Sequence, residues 1–138
     1  MKGRSRASGT PSTTLSPEAF ADAVRDHDLR ALTATFAEDI ELHSPVLPDP
    51  FVGKARVDRL FAVLIETFED IEITHELASP GHFALSFRAR IGSEPIQIVD
   101  LLDFDDSGRI KRFTVTARPL DGINALAVAV APHLAEIG

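Results

Sequence analysis

From Ile71 to Arg118 the apolar residues recur at about every second position, and glycine- or proline-bearing turns punctuate the run. Nothing else in the chain constrains its fold as strongly. Alternating segments joined by short turns bury one face by pairing as an antiparallel sheet. Ile71, Ile73 and Leu77 alternate with Glu72, Thr74 and Glu76, and Pro80-Gly81 makes the first turn. Phe83, Leu85, Phe87, Ala89 and Ile91 follow, interleaved with Ser86, Arg88 and Arg90, up to a second turn over Gly92 to Pro95. Ile96 to Phe104 is a nearly continuous apolar strand, Asp105-Asp106-Ser107-Gly108 is a hairpin signal, and Ile110 to Arg118 is the last strand.

The chain ahead of this meander reads as helical. Ser16-Pro17-Glu18 carries helix-start chemistry, with a residue that can cap, a proline suited to the first turn and an acid for the positive end of the dipole. Phe20, Ala23 and Val24 then recur at helical spacing. After a break near His27-Asp28, Leu29, Leu32, Thr33 and Phe36 predict a second helix ending at Glu38-Asp39. Ile40 to His43 predicts a short strand, Ser44 to Gly53 with Pro45, Pro48 and Pro50 a loop, and Lys54 to Phe68 an amphipathic helix. Ile123, Leu126, Ala127, Val130 and Leu134 mark a C-terminal helix that Pro132 should kink or end. Helices followed by an antiparallel meander predict a segregated α+β domain, a curved sheet wrapped around helices, over residues 16–138. Residues 1–15, with Lys2, Arg4 and Arg6 among Ser, Thr, Gly and Pro, predict a disordered tail.

Composition narrows the function. A net charge of −7 argues against sequence-independent nucleic-acid binding, which runs on clustered Lys and Arg. With no Cys, Tyr or Trp, no mechanism can use a thiol, a phenol or an indole. The longest strictly apolar run, Ala125 to Ala131, is too short to span a bilayer, and no apolar segment follows the basic N-terminal residues, so a cytoplasmic protein without membrane contact is expected. Glu41 and His43 could share a metal, but two ligands do not make a site, and neither metal nor organic cofactor is expected.

Asp100 is the anomaly. It interrupts an apolar strand and shares a face with Ile98, Leu102 and Phe104, where an ionised carboxylate is costly. Either a cation pairs with it, or its pKa rises and it stays protonated, able to donate a hydrogen bond or serve as a general acid. The inward positions that could wall a ligand pocket beside it are Phe20, Ser44, Phe61, His75, Phe87, Leu102, Phe113 and Val115. His75 is the polar residue on the Ile71, Ile73, Leu77 face, and Ser44 follows Ile40 and Leu42 inward without an identifiable activating base. His27, His82 and His133 sit at element ends, where solvated histidines are ordinary. Arg88, Arg90, Arg112 and Arg118 with Lys111 read as an outward or subunit-facing side that could meet acids of a partner.

Leu32 to Glu41, the Ser44-Pro45 loop ending in Phe51-Val52-Gly53, the helix after it, and Phe104 to Ile110 together resemble the nuclear transport factor 2 superfold. Within it the chain, over about residues 17–118, is most similar to the ketosteroid isomerase and SnoaL-type polyketide cyclase branches. The resemblance implies a cone of curved antiparallel sheet around three helices, commonly homodimeric, with an apolar pocket at its wide end. It places the isomerase's oxyanion-hole Asp on Asp100, its general-base Asp on Ser44 before Pro45, and its oxyanion-hole Tyr on Phe20. Two of the three groups are thus absent, which argues against steroid isomerisation by that mechanism. SnoaL-type cyclases, understood to use a pocket Asp as acid/base without a cofactor, match better. The expected function is a pocket for a small apolar, aromatic or polycyclic molecule, with isomerase- or cyclase-type chemistry through Asp100. The alternative is a non-catalytic binding or accessory homodimer of the same fold.

Overall fold

A computed structural model describes residues 16–138; the expected tail over residues 1–15 lies outside them. Helix α1 (Pro17–Arg25) buries Phe20, Ala21, Ala23 and Val24. Its proline stands at the helix start, while Ser16 contributes only its carbonyl, which accepts from the Ala19 amide, and no side-chain cap. In α2 (Leu29–Thr33) the Asp28 carboxylate caps by accepting from the Ala31 amide.

That second helix is shorter than its periodicity predicts. Strand β1 (Phe36–His43) takes over the residues expected to finish it, so Phe36 to Asp39 is strand and not helix. Tertiary pairing decides the matter. Phe36 registers against Ile110 of β6 (Ile110–Arg118) in a parallel pair, and the Ile110 amide donates to the Thr35 carbonyl. The expected loop after Ser44 also contains a two-residue strand, β2 (Phe51–Val52), antiparallel to β1.

Helix α3 (Lys54–Thr67) is followed by the meander β3 (Glu69–Ser79), β4 (His82–Ile91), β5 (Glu94–Phe104) and β6. The six strands form one sheet in the order β2-β1-β6-β5-β4-β3. Apolar side chains of β4, β5 and β6 alternate onto the concave side, where they meet α1 and α3 in one core. Its centre is aromatic: Phe113 lies edge-on to Phe20, Phe61 and Phe36 at ring separations of 5.5, 5.4 and 6.4 Å.

Helix α4 (Leu120–Val130) crosses back over β5, and Gly122 is what allows it to come so close. A Cβ there would stand 2.8 Å from the Pro95 carbonyl oxygen. Around Pro132 the helix gives way to a 3-10 turn (Ala131–His133) and then α5 (Leu134–Ile137), so the proline redirects the chain as expected. The Arg59 guanidinium of α3 donates twice to the Ile137 carbonyl and ties this end down. The 18-residue stretch Leu120–Ile137 is long and apolar enough to cross a membrane by length and composition alone. Here its Leu126, Val130 and Leu134 turn toward the cavity described next.

Candidate functional site

Between the concave sheet and α1, α3 and α4 lies a partly open cavity of about 110 Å³. Among the described residues its wall is apolar save for three polar residues, Asp100, Ser44 and His27. Asp100 is there because β5 alternates: Leu85 and Val115 are its cross-strand neighbours, and Ile98 precedes it on the same face. Only 5% of it is exposed, and no hydrogen bond or ion pair reaches its carboxyl among the described residues. Burial alone pushes the Asp100 pKa up from 3.8 to about 8. At neutral pH the group is therefore a carboxylic acid, with an O–H to donate and a proton to give.

The wall holds most of the residues singled out from the sequence. Phe20, Ser44, Phe61, Phe87, Phe113 and Val115 border the same space as Asp100. Two do not. His75 is exposed on β3, with Nδ1 3.2 Å from the Thr74 hydroxyl. The register of β3 slips twice, between Glu69 and Glu72 and again between Ile73 and His75, and strict alternation fails there. Beyond the second slip β3 is an outer strand with Leu77 65% exposed, so the face assigned to His75 does not point inward. Leu102 does point inward and is 1% exposed, but it is filled over by its neighbours Phe83 and Phe113 and belongs to the core behind the cavity.

Ser44 has a structural task as well as a place on the wall. Its Oγ accepts from the amides of Val46 and Leu47 at 3.2 and 3.0 Å, a local turn that brings Val46 and Leu47 to the cavity mouth. His27, by its place in the sequence an ordinary histidine at an element end, borders the cavity. The signal was present in the spacing: Phe20, Val24 and His27 fall at i, i+4 and i+7, one stripe of α1 and its exit turn.

The opposite face of the sheet is a lattice of charge pairs within the chain. Arg90 meets Glu69 and Asp70, Arg88 meets Glu72, and Arg112 approaches Glu41. Three of the four arginines expected to meet a partner's acids thus have acidic neighbours of their own, and the fourth, Arg118, donates to the Gln97 side-chain oxygen. Glu41 and His43 contact each other at 3.3 Å, and no group of three potential metal ligands converges among the described residues.

The SnoaL-like domain family matches residues 18–113. A steroid Delta-isomerase of Nocardioides simplex is 30% identical over 95 residues, covering 66% of this chain and 77% of that protein. A solved structure of a steroid Delta-isomerase from Pseudomonas aeruginosa is 30% identical, with a TM-score of 0.77 over 91% of this chain and 97% of that one. An uncharacterised cystatin-like protein from Silicibacter pomeroyi shares the fold, with a TM-score of 0.79 at 22% identity over 84% of this chain and 82% of its own. Matched across most of its folded length, the chain belongs to the SnoaL-like domain family, and its structural neighbours are ketosteroid isomerase-like proteins of the nuclear transport factor 2 fold.

Proposed function

We propose that the cavity binds a small hydrophobic molecule carrying an oxygen that accepts a hydrogen bond from neutral Asp100, and that isomerase- or cyclase-type chemistry follows from that contact. The observation that carries this reading is a buried carboxyl without a partner among the described residues, on a largely apolar wall. In such a site a donor strengthens its bond as charge develops on the oxygen, which favours an enolate-like transition state over the ketone. The volume suits about one ring inside, since an apolar cavity of roughly 150 Å³ takes up benzene. A polycyclic ligand would leave its remaining rings among Val46, Leu47 and α4 at the mouth.

Binding without turnover is the second reading. It is favoured by Phe20 and by Ser44, whose oxygen is engaged by two amides, at the positions where the resemblance calls for a second donor and a base. Calorimetric titration with a cyclic enone separates the two readings. Asp100→Leu removes the donor and should weaken binding about tenfold, the value of one net hydrogen bond. Asp100→Asn keeps a donor but has no acid proton, so it should bind within a few-fold of wild type while any turnover falls. Equal binding by the Leu variant would defeat the proposal.

We further propose a homodimer joined through the outer face of the sheet, where Leu101 is 47% exposed among the charge pairs. Sedimentation at micromolar concentration checks it, and a monomer there would overturn it.

A further inference from the structure

Enolisation needs a proton acceptor, and the cavity wall offers few. Of its three polar side chains, Asp100 is the donor in the reading above, and the Ser44 oxygen already accepts two amide hydrogens. His27 is the remaining one, and among the described residues that line the cavity it alone carries a nitrogen base.

Its backbone adds a second, independent observation. Helix α1 ends with the His27 amide donating to the Val24 carbonyl at 3.1 Å and the Asp28 amide donating to the Ala23 carbonyl at 3.0 Å. That pair of bonds puts His27 at the left-handed position that closes a helix, with φ of 56°. Glycine takes this conformation without steric cost, whereas a residue with a Cβ is strained there. Histidine is among the side chains that enter this region most readily after glycine, and the turn leaves His27 exposed at the border of the cavity.

We propose that His27 is the proton acceptor working with Asp100 on an enolisable ketone held in the cavity, an inference that rests on the role given to Asp100 above. The neutral imidazole takes the proton from the carbon next to the carbonyl. The C–H electron pair becomes the C=C bond of the enolate, and its oxygen is held by the Asp100 O–H. The imidazolium then returns the same proton to the γ carbon, which moves the double bond into conjugation and restores both side chains. Atoms balance, and no oxidant or reductant enters.

The test follows conversion of two β,γ-unsaturated ketones, the unconjugated isomer of cyclohexenone and its ketosteroid counterpart, by the rise in enone absorbance. Wild type, His27→Gly, His27→Gln and Asp100→Asn are run side by side. Both His27 variants should lose about 100-fold or more in kcat with KM within about twofold, the loss expected for a missing base. Added imidazole should restore part of the rate to His27→Gly, whose melting temperature should equal or exceed that of wild type. Full kcat in His27→Gly, with Asp100→Asn still impaired, would overturn the role of His27 and leave that of Asp100 standing. No conversion of either ketone by wild type would overturn it too, and Asp100-dependent binding of the enone would then leave a binding pocket without turnover.

Discussion

On β5 the side chains of Leu102 and Asp100 lie on the concave side, and those of Leu101 and Asp103 lie on the other. Leu102 is 1% exposed and Leu101 47%. The two acids differ even more. Asp103 accepts from the His82 ring at 2.8 Å and stands opposite Arg112, in a lattice where carboxylates have cations nearby. Asp100, three residues earlier, is buried with none among the described residues. One strand therefore treats the same functional group in two ways. On the outside, acid is matched by base, as solubility and pairing require. On the inside a carboxyl is left without a cation among the described residues at a cost to stability, and the proposed function gives that carboxyl its use at a ligand oxygen.

The contrast can be broken by mutation. The largest effect belongs to the inner face: Leu102→Ala should cost about 2–5 kcal/mol, the range for emptying a well-packed core site, read from denaturant unfolding. Loss of less than about 1 kcal/mol would mean that the concave face is not packed as described.

Next comes the inner acid. The raised folded pKa means that the native state keeps a proton which the unfolded chain has released. Stability is therefore greatest near and below the unfolded value of 3.8, falls by about 1.4 kcal/mol per pH unit above it, and levels off above about 8. Asp100→Asn does not titrate, so its stability relative to wild type should improve by on the order of 3 kcal/mol between pH 5 and pH 8. A hidden cation partner reverses the sign, because the amide would leave that cation unpaired. Melts of both proteins at the two pH values decide it.

The outer acid should matter least. Asp103→Asn removes a partner from an exposed pair and should shift stability by no more than about 0.5 kcal/mol at pH 7, measured by the same unfolding. A loss as large as that of Leu102→Ala would make the two faces equivalent and dissolve the contrast.

The faces of β4, of β5 up to Asp103 and of β6 from Arg112 onward were legible in the sequence because alternation holds there, on the near side of the register slip between Asp103 and Phe104, and Asp100 stood out against it. Alternation was misleading in β3, where two register slips are written in no residue type, and His75 was turned inward on paper only. The extent of α2 was missed for a different reason. Leu29 to Phe36 fits a helical period, but the parallel partner of Phe36 lies more than seventy residues away at Ile110. His27 escaped because its spacing from Phe20 crosses a helix end, where periodicity alone does not say which way a side chain turns. The share of α4 in the cavity wall also depends on a crossing that Gly122 permits and no local pattern announces.

The central claim is that Asp100 is a neutral acid in the folded protein, and the most direct measurement is the carbon-13 NMR titration of its carboxyl. With aspartate labelled at Cγ and Asp100→Asn used to assign the resonance, Asp100 is expected to titrate with a midpoint near pH 8. A midpoint for Asp100 below about pH 5 would contradict it, because the carboxyl would then be charged at neutral pH and could not donate to a ligand oxygen.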